Sequence, residues 1–315
     1  RRRRVKVLVA EPLGQAGLDR LAQEHEVDVR LNLAREELLG LLPDYDALIV
    51  RSQVQVDGAA IAAGTRLKVV GRAGVGVDNI DVAAATSAGI AVVNAPTANT
   101  LAAAEHTMAL MLALARRVAV ADASVRRGEW RRADFMGTEL GGKTLGILGL
   151  GRVGLAVADR ARAFAMNLLG SDPLVSAEAA ATYGVRLVDV DELLRESDVV
   201  TLHVPLVAQT RGLINAPRLG RMKRGALLIN VARGGVVDES ALAVALTSGQ
   251  LGGAAIDVFA HEPLGDSPLL SAPNTVLTPH LGASTAEAQA RASLEVVQGV
   301  LDVLAGRPAT YQVNR

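Results

Sequence analysis

Apolar residues in this chain gather into short runs of the kind that fill parallel strands, and the runs alternate with longer stretches whose apolar positions recur at helical spacing. A run at 5–10, a helical stretch at 13–24 and a run at 27–31 begin a β-α-β series. Runs at 47–51, 67–71 and 90–94 continue it, separated by helical stretches or by Gly, Asp and Asn punctuation. One small parallel sheet is expected from them. Asn94-Ala-Pro-Thr-Ala-Asn99 then interrupts the pattern. The Ala- and Leu-rich stretch 101–127 that follows is apolar on more than one face, which predicts one long helix packed both on the core and on a second copy of the chain.

A second series opens near Thr144. Runs at 145–150, 166–171, 199–203, 227–231, 254–258 and 275–277 predict six parallel strands of a doubly wound sheet. The last helical stretch, 286–305, comes after that sheet is complete and is free to cross back to the first. Composition agrees with this α/β reading. Half of the 315 residues are apolar but only 2% are aromatic, so Ala, Val and Leu must fill the cores, which suits parallel sheets covered by helices.

The formal charge is zero, so nothing global attracts nucleic acid or an anionic membrane. There is no cysteine, which excludes disulfides, thiolate nucleophiles and thiolate metal sites and is compatible with a cytoplasmic protein. No metal site is expected. The longest apolar run, 108–115, falls far short of the roughly 20 residues that span a bilayer, and no cleavable signal pattern opens the chain. The arginines at 1–4 are expected to be a solvated charge run rather than a targeting or nucleic-acid arm, and the absence of an initiator Met suggests that the start is not the native one.

Chemistry enters with Gly149-x-Gly151-x-x-Gly154, which sits between an apolar run and an Ala-rich helical stretch and so reads as strand, tight turn, helix. Such glycines let the backbone turn sharply and approach a pyrophosphate, while the helix N-terminus offers unpaired N–H groups to its charge. The next apolar run ends in Asp172, at about the twenty-residue spacing of a group that binds adenosine ribose hydroxyls. The residue after it is Pro173 rather than an arginine, which favours NAD over NADP. In an open α/β sheet the ligand lies beyond the carboxyl ends of the strands. Those positions here carry His203-Val-Pro205, Ala232-Arg233-Gly-Gly235, Asp257 and Pro279-His280.

Gly71-Arg-Ala-Gly-Val-Gly-Val-Asp-Asn-Ile-Asp81, Asn230-Val-Ala-Arg-Gly-Gly-Val-Val-Asp-Glu239, Asp257-Val-Phe-x-x-Glu-Pro263 and Thr278-Pro-His-Leu-Gly-Ala-Ser284 resemble the D-isomer-specific 2-hydroxyacid dehydrogenases, and the resemblance spans the whole chain. Within the family, Phe135-Met-Gly-Thr-Glu-Leu140 and Asn94-Ala-Pro-x-x-Asn99 with Ala104-Glu105 look most like the members that act on 3-phosphoglycerate. The resemblance implies two Rossmann-like or flavodoxin-like lobes with the active site in the cleft between them. A discontinuous substrate-binding domain would comprise 1–98 and 286–315, and a NAD-binding domain 99–285.

By the same resemblance His280 is the general acid/base, Glu262 its partner and Arg233 the carboxylate anchor. An imidazole titrating near neutrality suits removal of a hydroxyl proton as a hydride leaves carbon. A carboxylate beside it fixes the tautomer and stabilises the imidazolium, and an arginine fork holds a carboxylate in two parallel bonds. Gly149, Gly151, Arg152, Val153 and Gly154 are expected along the pyrophosphate, Asp172 at the ribose, Val204, Ala232 and Gly282 on the cofactor, Asp257 toward its nicotinamide end, and Val75 close to both cofactor and substrate. Arg51, Arg72, Gly74, Val75, Gly76, Asn99 and Arg132 are expected on the substrate, the three arginines for a phosphate that Arg233 alone cannot neutralise. His25, His106, His203 and His261 are read as surface or packing residues.

The activity implied is NAD-dependent interconversion of 3-phospho-D-glycerate and 3-phosphohydroxypyruvate in a cytoplasmic homo-oligomer joined through the 101–127 region. A glyoxylate or hydroxypyruvate reductase is the alternative of the same chemistry. A NAD(H)-sensing protein resembling the family's corepressors is the alternative of another class.

Overall fold

The computed structural model describes residues 5–314, so the arginine run at 1–4 lies outside the described residues. Residues 5–99 with 283–314 form one compact unit and residues 100–282 a second. In the first, β1 (Lys6–Val9), β2 (Glu26–Val29), β3 (Ala47–Val50), β4 (Val69–Arg72) and β5 (Ala91–Val93) pair in parallel in the order β2-β1-β3-β4-β5.

Alternate residues of a strand face opposite sides of a sheet, and here both sides are covered. Leu8, Leu48, Val50, Val70 and Val92 pack with Leu38, Leu42 and Ile61 on one side. Val7, Val9, Ile49 and Val69 pack on the other with Leu21, Val296, Val297, Val300 and Leu301. Four of these last residues lie on the helix Ala286–Leu304, which starts at a capping Thr285 and closes the unit to which the chain returns. Gly71 admits it, because a Cβ there would come within 2.8 Å of Val300 Cγ2.

The second unit holds β6 (Thr144–Leu148), β7 (Asn167–Ser171), β8 (Val185–Leu187), β9 (Val199–Leu202), β10 (Ala226–Asn230), β11 (Leu251–Ile256) and β12 (Thr275–Leu277). All seven run parallel in the order β12-β11-β10-β9-β6-β7-β8. Both units are thus doubly wound parallel sheets, as the apolar runs predict, with one strand more than expected in the second. The additional strand is β8, at the sheet edge, where Val185-Arg-Leu187 offers no apolar run to read. The strand order reverses between β6 and β9, with β7 and β8 to one side and β10 to β12 to the other, which opens the crevice at their carboxyl ends.

The single helix expected over 101–127 is two helices, Thr100–Ala115 and Val118–Arg126. Arg117 between them takes the left-handed region at φ 55°. The first helix is buried along Ala104, Met108, Met111 and Leu114 beneath Leu145, Ile147 and Ile229 of the sheet. The second turns away from that layer and exposes Val118, Val120 and Val125. No helix among the described residues is long and apolar enough to cross a membrane.

Leu301 is 1% exposed in the seat between the last helix and the first sheet. Leu301→Ala is expected to destabilise that unit by about 2–5 kcal/mol. A urea melt followed by circular dichroism measures this, and an unmoved midpoint would show that the helix contributes little to the unit.

Candidate active site

The glycine turn lies between β6 and the helix Arg152–Ala163, and each glycine has its own reason. Gly149 has φ 93°, and a Cβ on it would stand 2.6 Å from the His203 carbonyl oxygen. A Cβ on Gly154 would overlap the carbonyl of Gly149, so the helix could not sit so close to the turn. At Gly151 a Cβ would meet nothing within 4 Å. It would instead project into the open space in front of the helix N-terminus, where no side chain caps the first-turn N–H groups. Unpaired amides facing a cradle that a side chain would fill fit a pyrophosphate. Arg152 is exposed and Val153 half-buried on that first turn.

Asp172 follows β7 directly. Its Oδ2 accepts the Leu150 N–H at 2.8 Å and its Oδ1 the Leu174 N–H at 2.9 Å. Each oxygen keeps acceptor capacity for a ribose hydroxyl. Val204, half-buried, and Ala232, buried, follow β9 and β10 on the other side of the crevice.

Glu262 and His280 lie on the loops after β11 and β12. His280 Nδ1 lies 2.6 Å from Glu262 Oε2, and Glu262 Oε1 accepts the Phe259 N–H at 2.9 Å. Burial pushes the Glu262 carboxyl up, but the bonds from His280 and Phe259 outweigh it and hold the group below its ordinary value. A carboxylate acceptor makes Nδ1 the protonated nitrogen and leaves Nε2 with a lone pair. The His280 side chain is 46% exposed, so that lone pair is reachable.

Arg233 stands in the loop after β10, with Nη1 donating to the Ala232 carbonyl at 2.7 Å. Asn230, almost fully buried, fixes this loop by donating to the Arg233 carbonyl and accepting from the Ala232 N–H, both at 3.0 Å. A Cβ on Gly234 would overlap the backbone of Phe259, so the arginine loop rests on the loop that carries Glu262. Glu239 pins that second loop through the Ala260 N–H at 2.6 Å. Asn230 and Glu239 bound one of the recognised motifs, yet the sequence offers no sign that they act as clamps.

Asp257 is placed otherwise than expected. Its side chain is fully buried and is occupied with the 278–282 loop rather than lining an open face. Oδ1 accepts from Thr278 Oγ1 at 2.6 Å, the Leu281 N–H at 2.7 Å and His106 Nε2 at 3.1 Å, while Oδ2 accepts the Gly282 N–H at 2.9 Å. Burial pushes the Asp257 carboxyl up, and the bonds from His106, Thr278 and Leu281 bring it below its ordinary value. His106 is therefore more than a packing residue. At His203 burial pushes the imidazole down to about 4, and Nε2 meets Thr201 Oγ1 at 3.0 Å. His261 is exposed, and His25 belongs to the first unit.

Of the expected substrate residues only Arg132 and Arg233 belong to this unit, and Arg132 is exposed in the turn Arg132–Phe135. In the first unit, Glu11 accepts the N–H groups of Arg51, Gln53 and Val54 and so shapes the loop that bears Arg51. Arg72 ends β4, and its guanidinium occupies the space a Cβ on Gly74 would need. Asn94 Nδ2 donates to the Val75 carbonyl at 2.6 Å and steadies the turn that continues into Gly76. Asn99 is half-buried at the end of the unit. Among the described residues no group of three or more His, Asp or Glu side chains could hold a metal. A cavity of about 350 Å³ opens near the amino ends of the second sheet's strands, among Met136, Lys143, Lys223 and Gly252, and none of the expected site residues lines it.

Residues 108–282 match the model of the family described as D-isomer specific 2-hydroxyacid dehydrogenase, NAD binding domain. The chain is 51% identical over 309 residues to a D-3-phosphoglycerate dehydrogenase of Synechocystis, covering 98% of this chain and 56% of that protein. It thus spans little more than half the length of this curated relative. Among solved structures it resembles the TT0316 protein of Thermus thermophilus, with TM-score 0.89, 39% identity and coverage of 98% and 99% of the two chains. It also resembles a glyoxylate reductase of Paecilomyes thermophila, with TM-score 0.90, 33% identity and coverage of 99% and 98%.

The lowered pKa of Glu262 has a sign. Its ionised form stabilises the folded state above the ordinary carboxylate range, and that contribution is lost as the pH falls through the lowered value. The difference in unfolding free energy between the native chain and Glu262→Gln should therefore narrow from about pH 4 downward. Denaturant melts across pH check it, and a constant difference would show that the pair is not coupled to folding.

Proposed function

The chain belongs to the D-isomer specific 2-hydroxyacid dehydrogenase family, and on that premise we propose that it interconverts 3-phospho-D-glycerate and 3-phosphohydroxypyruvate with NAD in the cytoplasm, the first step of L-serine biosynthesis. The observation that carries the proposal is the 2.6 Å pairing of His280 Nδ1 with Glu262 beside the arginine loop of the NAD-binding unit.

NAD, when bound, would supply the acceptor for the hydride leaving C2 in oxidation and, reduced, the hydride donor in the reverse reaction. Arg233 holds the substrate carboxylate with its guanidinium fork, which orients C2 and its hydroxyl. His280 Nε2 takes the hydroxyl proton as the C–O bond becomes a carbonyl, and the imidazolium so formed is stabilised by Glu262. In the reverse direction the same nitrogen returns the proton. The glycine turn and the Arg152–Val153 amides receive the pyrophosphate, and Asp172 takes the ribose hydroxyls and repels a 2′-phosphate. Val204, Ala232 and Gly282 line the dinucleotide. Asp257 holds the histidine loop, with its Oδ2 accepting the Gly282 N–H.

Recognition of the phosphorylated end falls to Arg51, Arg72 and Arg132, while the amides of Gly74, Val75 and Gly76 serve the substrate carboxylate and Asn99 helps hold the substrate. Val75 also serves the cofactor. The exposed Val118, Val120 and Val125 support a homodimer joined through the 101–127 region, since apolar side chains grouped on one short helix favour a covered face.

NADH oxidation measured with 3-phosphohydroxypyruvate, hydroxypyruvate and glyoxylate tests the reading. Highest kcat/KM is expected on the phosphorylated acid. Preference for glyoxylate would move the chain to the reductase alternative, and no turnover on any of the three with NADH still bound would favour the sensing alternative.

His280→Asn is expected to lower kcat by about two to four powers of ten while NADH affinity, read by fluorescence titration, is retained. Near-normal turnover in that variant would remove His280 from the mechanism.

A further inference from the structure

His106 projects from the helix Thr100–Ala115, which is anchored in the core by its neighbours Thr107, Met108 and Met111. Its Nε2 stands 3.1 Å from Asp257 Oδ1 and 3.3 Å from Thr278 Oγ1. The Thr278 hydroxyl proton is already committed to Asp257 Oδ1 at 2.6 Å, so toward His106 that hydroxyl can only accept. Both neighbours of Nε2 are therefore acceptors, and Nε2 must carry a proton and donate to them.

Asp257 binds its loop at both ends of the backbone around His280. Its main-chain carbonyl accepts the His280 N–H at 2.9 Å, and its carboxylate accepts the next two amides, Leu281 and Gly282. His280 itself is held at φ 56°, a left-handed conformation that costs energy for a residue with a Cβ. That conformation persists because the bonds to Asp257 over-determine it. A carboxylate with such a task must stay ionised in one rotamer while fully buried, which requires donors on every side. The loop amides and Thr278 come from the segment being held. His106 supplies the donor from an element outside it.

We propose that His106 is a positioning residue for the acid/base histidine: its Nε2–H ties the Asp257 carboxylate to the core helix, and Asp257 in turn fixes the 278–282 backbone so that the His280 ring meets Glu262. The proposal rests on the reading of His280 as the proton acceptor, and it extends the machinery to a side chain that touches neither substrate nor cofactor.

Three measurements on the full chain test it. In the unaltered protein, nitrogen-15 spectra of the histidines should show His106 protonated at Nε2 near neutral pH; a proton on Nδ1 alone overturns the proposal. His106→Leu removes the donor at similar bulk, whereas His106→Gln returns an N–H close to the position of Nε2. In His106→Leu, amide exchange at Leu281 and Gly282 should accelerate about tenfold with β10 amides unchanged, and kcat should fall about tenfold with the KM for NADH unchanged. His106→Gln should recover most of both losses. Native exchange at the two amides in His106→Leu, or a glutamine variant as impaired as the leucine one, overturns it. Exchange and tautomer are read without turnover, so a protein inactive on every 2-oxo acid would defeat the functional reading while these still decide the role of His106.

Discussion

A carboxylate with no solvent contact is tolerable only when donors surround it, and in this protein the side chain of Asp257 meets that condition by organising everything near it. Thr278, His106 and two successive loop amides converge on its oxygens. The loop between β12 and the last helix is tied to this one buried charge through the Leu281 and Gly282 amides. It carries His280 in a backbone conformation that a free chain would leave. The same loop presents the His280 ring to Glu262 at 2.6 Å.

The two parallel sheets supply the rigidity against which such loops can be fixed. Cores of Ala, Val and Leu with almost no aromatics pack strands and helices closely, and the functional residues then fall where strands end. Within the second unit the glycine turn, Asp172, Arg233, Asp257 and His280 all follow carboxyl ends of strands that are neighbours or near neighbours in one sheet. Contact between loops sharpens the placement: Gly234 lies against the Phe259 backbone, and Glu239 holds Ala260. Chemistry is concentrated on segments whose positions are set by short backbone bonds.

Most of this architecture was legible in the sequence because parallel strands buried on both faces are written as uninterrupted apolar runs. Edge strand β8 was not, since Val185 and Leu187 flank an arginine and form no run. Nor was the break at Arg117: two arginines without Gly or Pro give no signal that one of them takes positive φ. The glycine turn could be recognised from its spacing between an apolar run and a helix, and Gly149 and Gly154 each answer a separate steric demand. The pairing of His280 with Glu262 rested on resemblance, and the geometry gives it a distance. His106 was unreadable in its role, because a histidine amid alanines on a core helix looks the same whether or not a buried acid lies opposite. Long-range partners of that sort are created by the fold and leave no local pattern.

Asp172 serves two masters. The carboxylate that we propose for the ribose hydroxyls also accepts the Leu150 and Leu174 N–H groups, one inside the glycine turn and one just past β7. An engineer who neutralises it to admit a phosphorylated ribose also unfastens the bend that greets the diphosphate. On that proposal coenzyme choice and the stiffness of the entrance are linked through one side chain, so redesign of the first needs a new clasp for the second.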